Sequence, residues 1–108
     1  MKTIAIVALA LALGGCSMTL PVKGQSMAGD ETFTGSATGG MDGSGTLTIA
    51  SNRGLKCSGT FVYVTERNGS GIFTCTNGQS GPFTFVSTGT HGTGTGKIGN
   101  REFTFTFG

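Results

Sequence analysis

From Glu31 to the C-terminus, apolar and polar residues change places at almost every step. The alternation is clearest in "ETFTGSAT", "GTLTIAS", "LKCSGTFVYV", "SGIFTCT", "GPFTFVS" and "REFTFTF", and a weaker segment, "GTGTGKI", lies between the last two. A period of two is that of a strand with one face buried. Between the segments stand Asp42-Gly43, Asn52 to Gly54, Asn68-Gly69, Asn77-Gly78 and Gly99-Asn100. Such pairs suit the positive φ of tight hairpins. After residue 16 there is no apolar stripe at helical spacing. The pattern therefore predicts an all-β chain: about seven short strands in an antiparallel meander or open small barrel.

The glycines carry a longer period. One class of strand opens Gly-x-Gly, at Gly43-Ser44-Gly45, Gly69-Ser70-Gly71 and Gly94-Thr95-Gly96. The other has Ser or Thr, then glycine, then an apolar residue two places on: Thr34-Gly35-Ser36-Ala37, Ser58-Gly59-Thr60-Phe61 and Ser80-Gly81-Pro82-Phe83. Phe103 to Phe107 continues this class with phenylalanine in the glycine slot. Recurrence at a fixed period of roughly 20–50 residues marks repeated supersecondary units. From Phe33 to Phe107 the pattern resembles MORN repeats, with Cys57 and Gln79 where that family carries tyrosine. The resemblance implies a sheet of consecutive hairpins.

Pairing Cys57 with Cys75 sets a register in which Gly59 faces Phe73, Phe61 faces Gly71 and Tyr63 faces Gly69. An aromatic covering a cross-strand glycine supplies the packing that glycine lacks. By parity, Leu47, Ile49, Phe83, Phe85, Phe103, Phe105 and Phe107 then share the apolar face. Thr46, Thr48, Ser58, Thr60, Thr74, Thr84, Thr104 and Thr106 share the other, which Val62, Val64 and Val86 interrupt.

The opening segment is different in kind. Lys2 precedes an unbroken apolar run, Ile4 to Leu13. At ~1.5 Å per residue it reaches about half of a ~30 Å hydrocarbon core, the length of a secretory signal rather than a membrane span. It ends Leu13-Gly14-Gly15-Cys16-Ser17, which resembles a bacterial lipobox. The resemblance implies cleavage between Gly15 and Cys16, a diacylglycerol thioether on Cys16 and acylation of its amine. Ser17, in place of aspartate, implies the outer membrane, with the periplasmic side favoured over the cell surface. Residues 1–15 are thus expected to be a signal peptide, 16–30 a lipidated N-terminus and flexible tether, and 31–108 a single β domain.

Lipidation of Cys16 changes the cysteine count, because it leaves Cys57 and Cys75 as an even pair. In an oxidising compartment these are expected to form a disulfide. Closing a loop of that length contributes about 3 kcal/mol to a small, glycine-rich sheet.

Charge and chemistry add exclusions. Seven basic and five acidic residues, with no basic cluster, give no electrostatic footprint for nucleic acid. Gly94-x-Gly96-x-x-Gly99 matches a dinucleotide fingerprint only as letters, since a strand and not a helix follows it. His91 is the sole histidine, so neither a His-based metal cluster nor a marked catalytic constellation is expected; Ser80, Ser87 and Asp42 are its only candidate partners. No cofactor or nucleotide is expected. The expected role is non-catalytic: a membrane-anchored envelope lipoprotein acting as a structural or binding module, with an envelope protein or glycan as partner. The alternatives are a periplasmic inhibitor of a cell-wall hydrolase, using a loop at Thr65 to Asn68 or Thr88 to Gly92, and a phage-encoded lipoprotein that masks a receptor.

Overall fold

A computed structural model describes residues 17–40 and 42–108; Gly15 and Cys16, the expected cleavage and lipidation positions, lie outside them. Alternation becomes eight strands: β1 (Met18–Ser26), β2 (Thr32–Gly39), β3 (Ser44–Ser51), β4 (Lys56–Tyr63), β5 (Asn68–Cys75), β6 (Ser80–Thr88), β7 (His91–Ile98) and β8 (Arg101–Phe107). Each pairs antiparallel with the next, and β1 returns to pair with β8, from Val22↔Phe107 to Ser26↔Phe103. The result is a closed barrel, not an open meander.

The eighth strand is the segment expected to be a tether. In "MTLPVKGQS" the inward positions are Leu20, Val22, Gly24 and Ser26, so only two of four announce a core face. Pro21 obscures the strand further, because it lacks the N–H that a ladder needs. Its carbonyl accepts from the Gly108 amide. Its nitrogen therefore faces the same way, past the end of the β1–β8 ladder, where no donor is required. Val22 is buried among the core residues, and closure leaves no sheet edge unpaired among the described strands.

The β4–β5 register is the expected one, with Cys57↔Cys75, Gly59↔Phe73, Phe61↔Gly71 and Tyr63↔Gly69. Cys57 and Cys75 are joined by a disulfide inside the barrel. The apolar face fills the interior with a chain of rings. Phe73, fully buried, lies 4.4 Å from Phe83 and 5.6 Å from Phe103 between ring centroids. Phe61, Tyr63, Phe85 and Phe107 continue the chain towards one end, with Phe85 at 5.2, 5.3 and 5.6 Å from the other three.

Rings do cover glycines, though across the other ladder from the one expected. Phe61 lies on Gly45 of β3; Phe83 and Phe85 lie on Gly71 and Gly69 of β5; Phe103, Phe105 and Phe107 lie on Gly96, Gly94 and Gly92 of β7. In each of these three strand pairs the later strand covers the earlier one. Gly69 is consequently a packing position within β5 and not a turn, because a side chain there would occupy the space of the Phe85 ring. The β4–β5 connection instead runs through residues 64–67, and the β6–β7 turn uses Gly89 with φ of 72°.

Outward positions are mostly threonine and serine, with Val62, Val64, Ile72 and Val86 exposed among them. Membrane-spanning barrels have the opposite arrangement, an apolar outside on strands of ~9–11 residues. Thr-rich strands of seven to nine residues around a phenylalanine core are built to stand in water.

Candidate functional site

The two ends of the barrel differ because the inward residues differ. At the end holding the β1–β2, β3–β4, β5–β6 and β7–β8 turns, Phe33, Ile49, Ile98 and the disulfide fill the interior. A polar network spans the outside of this end. The Ser26 hydroxyl and the Arg101 guanidinium each donate to Asp30 at 2.7 Å, and Arg53 donates to its second oxygen at 3.4 Å. Arg101 also lies 3.5 Å from the buried Glu31 carboxylate. The Ser26 hydroxyl bond first, with Arg101 behind it, holds the Asp30 carboxyl below its ordinary value. Three turns are tied together here, and the end is closed.

At the opposite end the rings stop short of filling the barrel. Inward positions near this mouth are aromatic on β4 (Phe61, Tyr63), β6 (Phe85) and β8 (Phe105, Phe107). On β1 and β2 they are Leu20, Ala37 and Gly39. With no ring on that side, a cavity of about 420 Å³ remains, within the ~300–1,000 Å³ common for small-molecule sites. Leu47 and the inner rings form its wall, Gly89 and Gly40 lie at its rim, and Ser17 and Met18 bring the start of the described chain to the opening. Among the described residues, no charged side chain lines it. The Tyr63 hydroxyl is engaged, donating to the buried Ser87 hydroxyl at 3.2 Å.

No hydrogen bond joins the described residues weighed for catalysis to one another. His91 is exposed at the start of β7 and paired with Thr88; Ser87 receives the Tyr63 hydroxyl; Ser80 lies at the closed end. Asp42 accepts from the Ser44 hydroxyl and amide, which lower its pKa in that order. Among the described residues, no three of His, Cys, Asp and Glu stand together as a metal site. The glycines of "GTGTGKIG" have a packing role: Gly94 and Gly96 make room for the Phe105 and Phe103 rings, and Lys97 faces Glu102 across the β7–β8 ladder. Neither suggested inhibitory loop is long. Thr88 and His91 end and begin strands around a tight turn, and the β4–β5 loop spans only residues 64–67.

Sequence reasoning missed the cavity, although its signal is present. Strand "TFTGSATG" carries one aromatic at its closed-end start and only Ala37 and Gly39 inward at the mouth. The absence of bulk becomes a cavity only once β1 and β8 close the barrel around it.

No protein-family model matches the chain, and no curated protein matches it. Among solved structures, a redesigned β-barrel, mFAP1, bound to DFHBI, is similar with a TM-score of 0.69 at 13% identity. That similarity covers 89% of this chain and 96% of the other. A de novo designed fluorescence-activating β-barrel is similar with a TM-score of 0.63 at 14% identity, over 82% of this chain and 88% of the other. At such identities the likeness is one of fold.

Proposed function

We propose that this chain is an exported lipoprotein, cleaved between Gly15 and Cys16 and held by lipid on Cys16 at the periplasmic face of an outer membrane. Its barrel is a non-catalytic binding module that presents the mouth cavity. The observation that carries the reading is the position of that cavity. It is an apolar recess that opens where the chain enters the barrel, immediately after the lipobox cysteine. The disulfide supports an oxidising compartment, and the charge balance supports a partner that is neither nucleic acid nor nucleotide. The succession of hairpins with ring-covered glycines supports a degenerate MORN-like origin for the barrel wall. The redesigned barrel that binds DFHBI supports ligand binding by a barrel of this shape.

The inhibitor reading retains one feature, the exposed Val64 in the short β4–β5 loop. An assay of cell-wall hydrolase activity with the purified protein separates it from the binding-module reading. The anchor itself is tested by membrane fractionation of cells expressing the wild type and Cys16→Ala. The wild type is expected in the outer-membrane fraction after alkaline washing, and the variant outside it as an uncleaved precursor. Equal distribution and equal processing of both would remove the lipid anchor from the account.

A further inference from the structure

The mouth cavity selects its occupant by what its wall lacks. Leu20, Ala37 and Leu47 on one side and Phe61, Phe85 and Phe105 on the other offer hydrocarbon and ring faces. The one phenolic hydroxyl of its lining, that of Tyr63, is already hydrogen-bonded to Ser87. A polar metabolite placed here would leave its donors and acceptors unpaired. The well is also blind: below Phe85 and Phe105 the rings of Phe83, Phe73 and Phe103 close the interior. An occupant must enter end first, be slender and apolar along its length, and leave any polar group outside at the rim. Three residues separate Gly40 at the rim from Ala37, the cross-strand partner of Leu47, about 10 Å at ~3.3 Å per residue.

We propose that the mouth cavity is a site for a single acyl chain. The proposal gives a ligand class to the binding module above and rests on that reading. The chain itself offers one source. Ser17 lines the opening, and an acyl group borne by Cys16 begins within one residue of it, a reach of about 3.6 Å. A fatty acyl chain from the surrounding membrane offers the same chemistry. If the protein's own lipid fills the well, one of its three chains is withdrawn from the bilayer, and the barrel stands with its mouth towards the membrane. The charged network of Asp30, Arg53 and Arg101 then points away from it.

The probe is cis-parinaric acid, a slender polyene fatty acid with one apolar end, whose fluorescence rises on entering an apolar site. It is titrated into two samples, each with the disulfide intact: the acylated protein in nanodiscs, and the chain from residue 16 onward carrying Cys16→Ser, which cannot be acylated and lacks residues 1–15, mixed with empty nanodiscs of the same lipid. Ala37→Leu and, separately, Gly39→Val fill the well, and circular dichroism checks that each retains the barrel. Saturable binding to the Cys16→Ser chain is expected, at least about tenfold weaker in a folded well-filling variant. If the acylated protein binds only weakly, its own anchor is the occupant. If it binds as strongly as the Cys16→Ser chain, the occupant comes from outside. Absence of saturable binding to the Cys16→Ser chain, or binding indifferent to both well-filling variants, overturns the site. The mass of the N-terminal peptide tests the anchor separately, so failure of one does not mimic failure of the other.

Discussion

Two glycine-to-alanine substitutions test how tightly the barrel is coiled, because the same chemical change should act in opposite directions. Replacing glycine with alanine restricts the unfolded chain and stabilises by about 0.4–1 kcal/mol wherever the native site accepts a methyl group. Gly39, near the mouth, accepts one: the nearest atom to its added carbon is Phe61 Cζ, at an ordinary contact distance of 4.0 Å. Gly81, inward on β6, does not. Its added carbon would overlap the Lys97 carbonyl oxygen of β7, with the carbonyl carbon at 2.6 Å and Ile98 Cα at 3.2 Å. These are backbone atoms, so relief requires a shift of about 1 Å against a strand spacing of ~4.8 Å. Weakening two or three ladder bonds at ~1 kcal/mol each, with loosened packing beside them, costs about 2–4 kcal/mol. The steric cost exceeds the entropic gain at Gly81, and at Gly39 the gain stands alone. Urea unfolding of the oxidised proteins, followed by circular dichroism, should place Gly81→Ala about 3 kcal/mol below Gly39→Ala. In thermal unfolding that difference amounts to about 12–24 °C for a domain of this size. Equal stability of the two variants would refute the close approach of β6 and β7 and the tight coiling that follows from it.

Further expectations concern the core, the disulfide and the polar network. Phe73→Ala removes a fully buried ring between Phe83 and Phe103 and should cost about 3–5 kcal/mol in the same assay, whereas the exposed Val64→Ser should stay within about 0.5 kcal/mol of wild type. Reductant should lower wild-type stability by about 3 kcal/mol, from the freed loop between Cys57 and Cys75, and should leave the Cys57→Ala/Cys75→Ala double variant unchanged. Asp30 should titrate below its unfolded value in an NMR pH series, and Ser26→Ala and Arg101→Gln should each raise it. Because the folded pKa is the lower one, this contribution is complete above about pH 4 and is lost as pH falls through the folded value; an Asp30→Asn variant should show a weaker acid dependence.

Seven strands, their order and the β4–β5 register were legible because their inward residues, bulky or glycine, alternate mostly with threonine or serine. Parity fixed the core face from Leu47 to Phe107 for the same reason. β1 was not legible: half of its inward positions are Gly24 and Ser26, and its partners on β8 are distant in sequence, so no local pattern announces the closure. Gly69 and Gly89 show the limit of reading turns from glycine. One serves a neighbouring ring and the other a positive φ, and only the cross-strand surroundings distinguish them. The cavity required both kinds of information, the small residues of β2 and the strand that encloses them.

The most direct measurement is intact and peptide mass spectrometry of the protein taken from its native membrane without reductant. The expected result is a chain beginning at a triacylated Cys16, with the peptides containing Cys57 and Cys75 cross-linked. A chain that retains Met1 to Gly15, or one cleaved elsewhere with an unmodified Cys16, would contradict the anchor on which the proposed function depends.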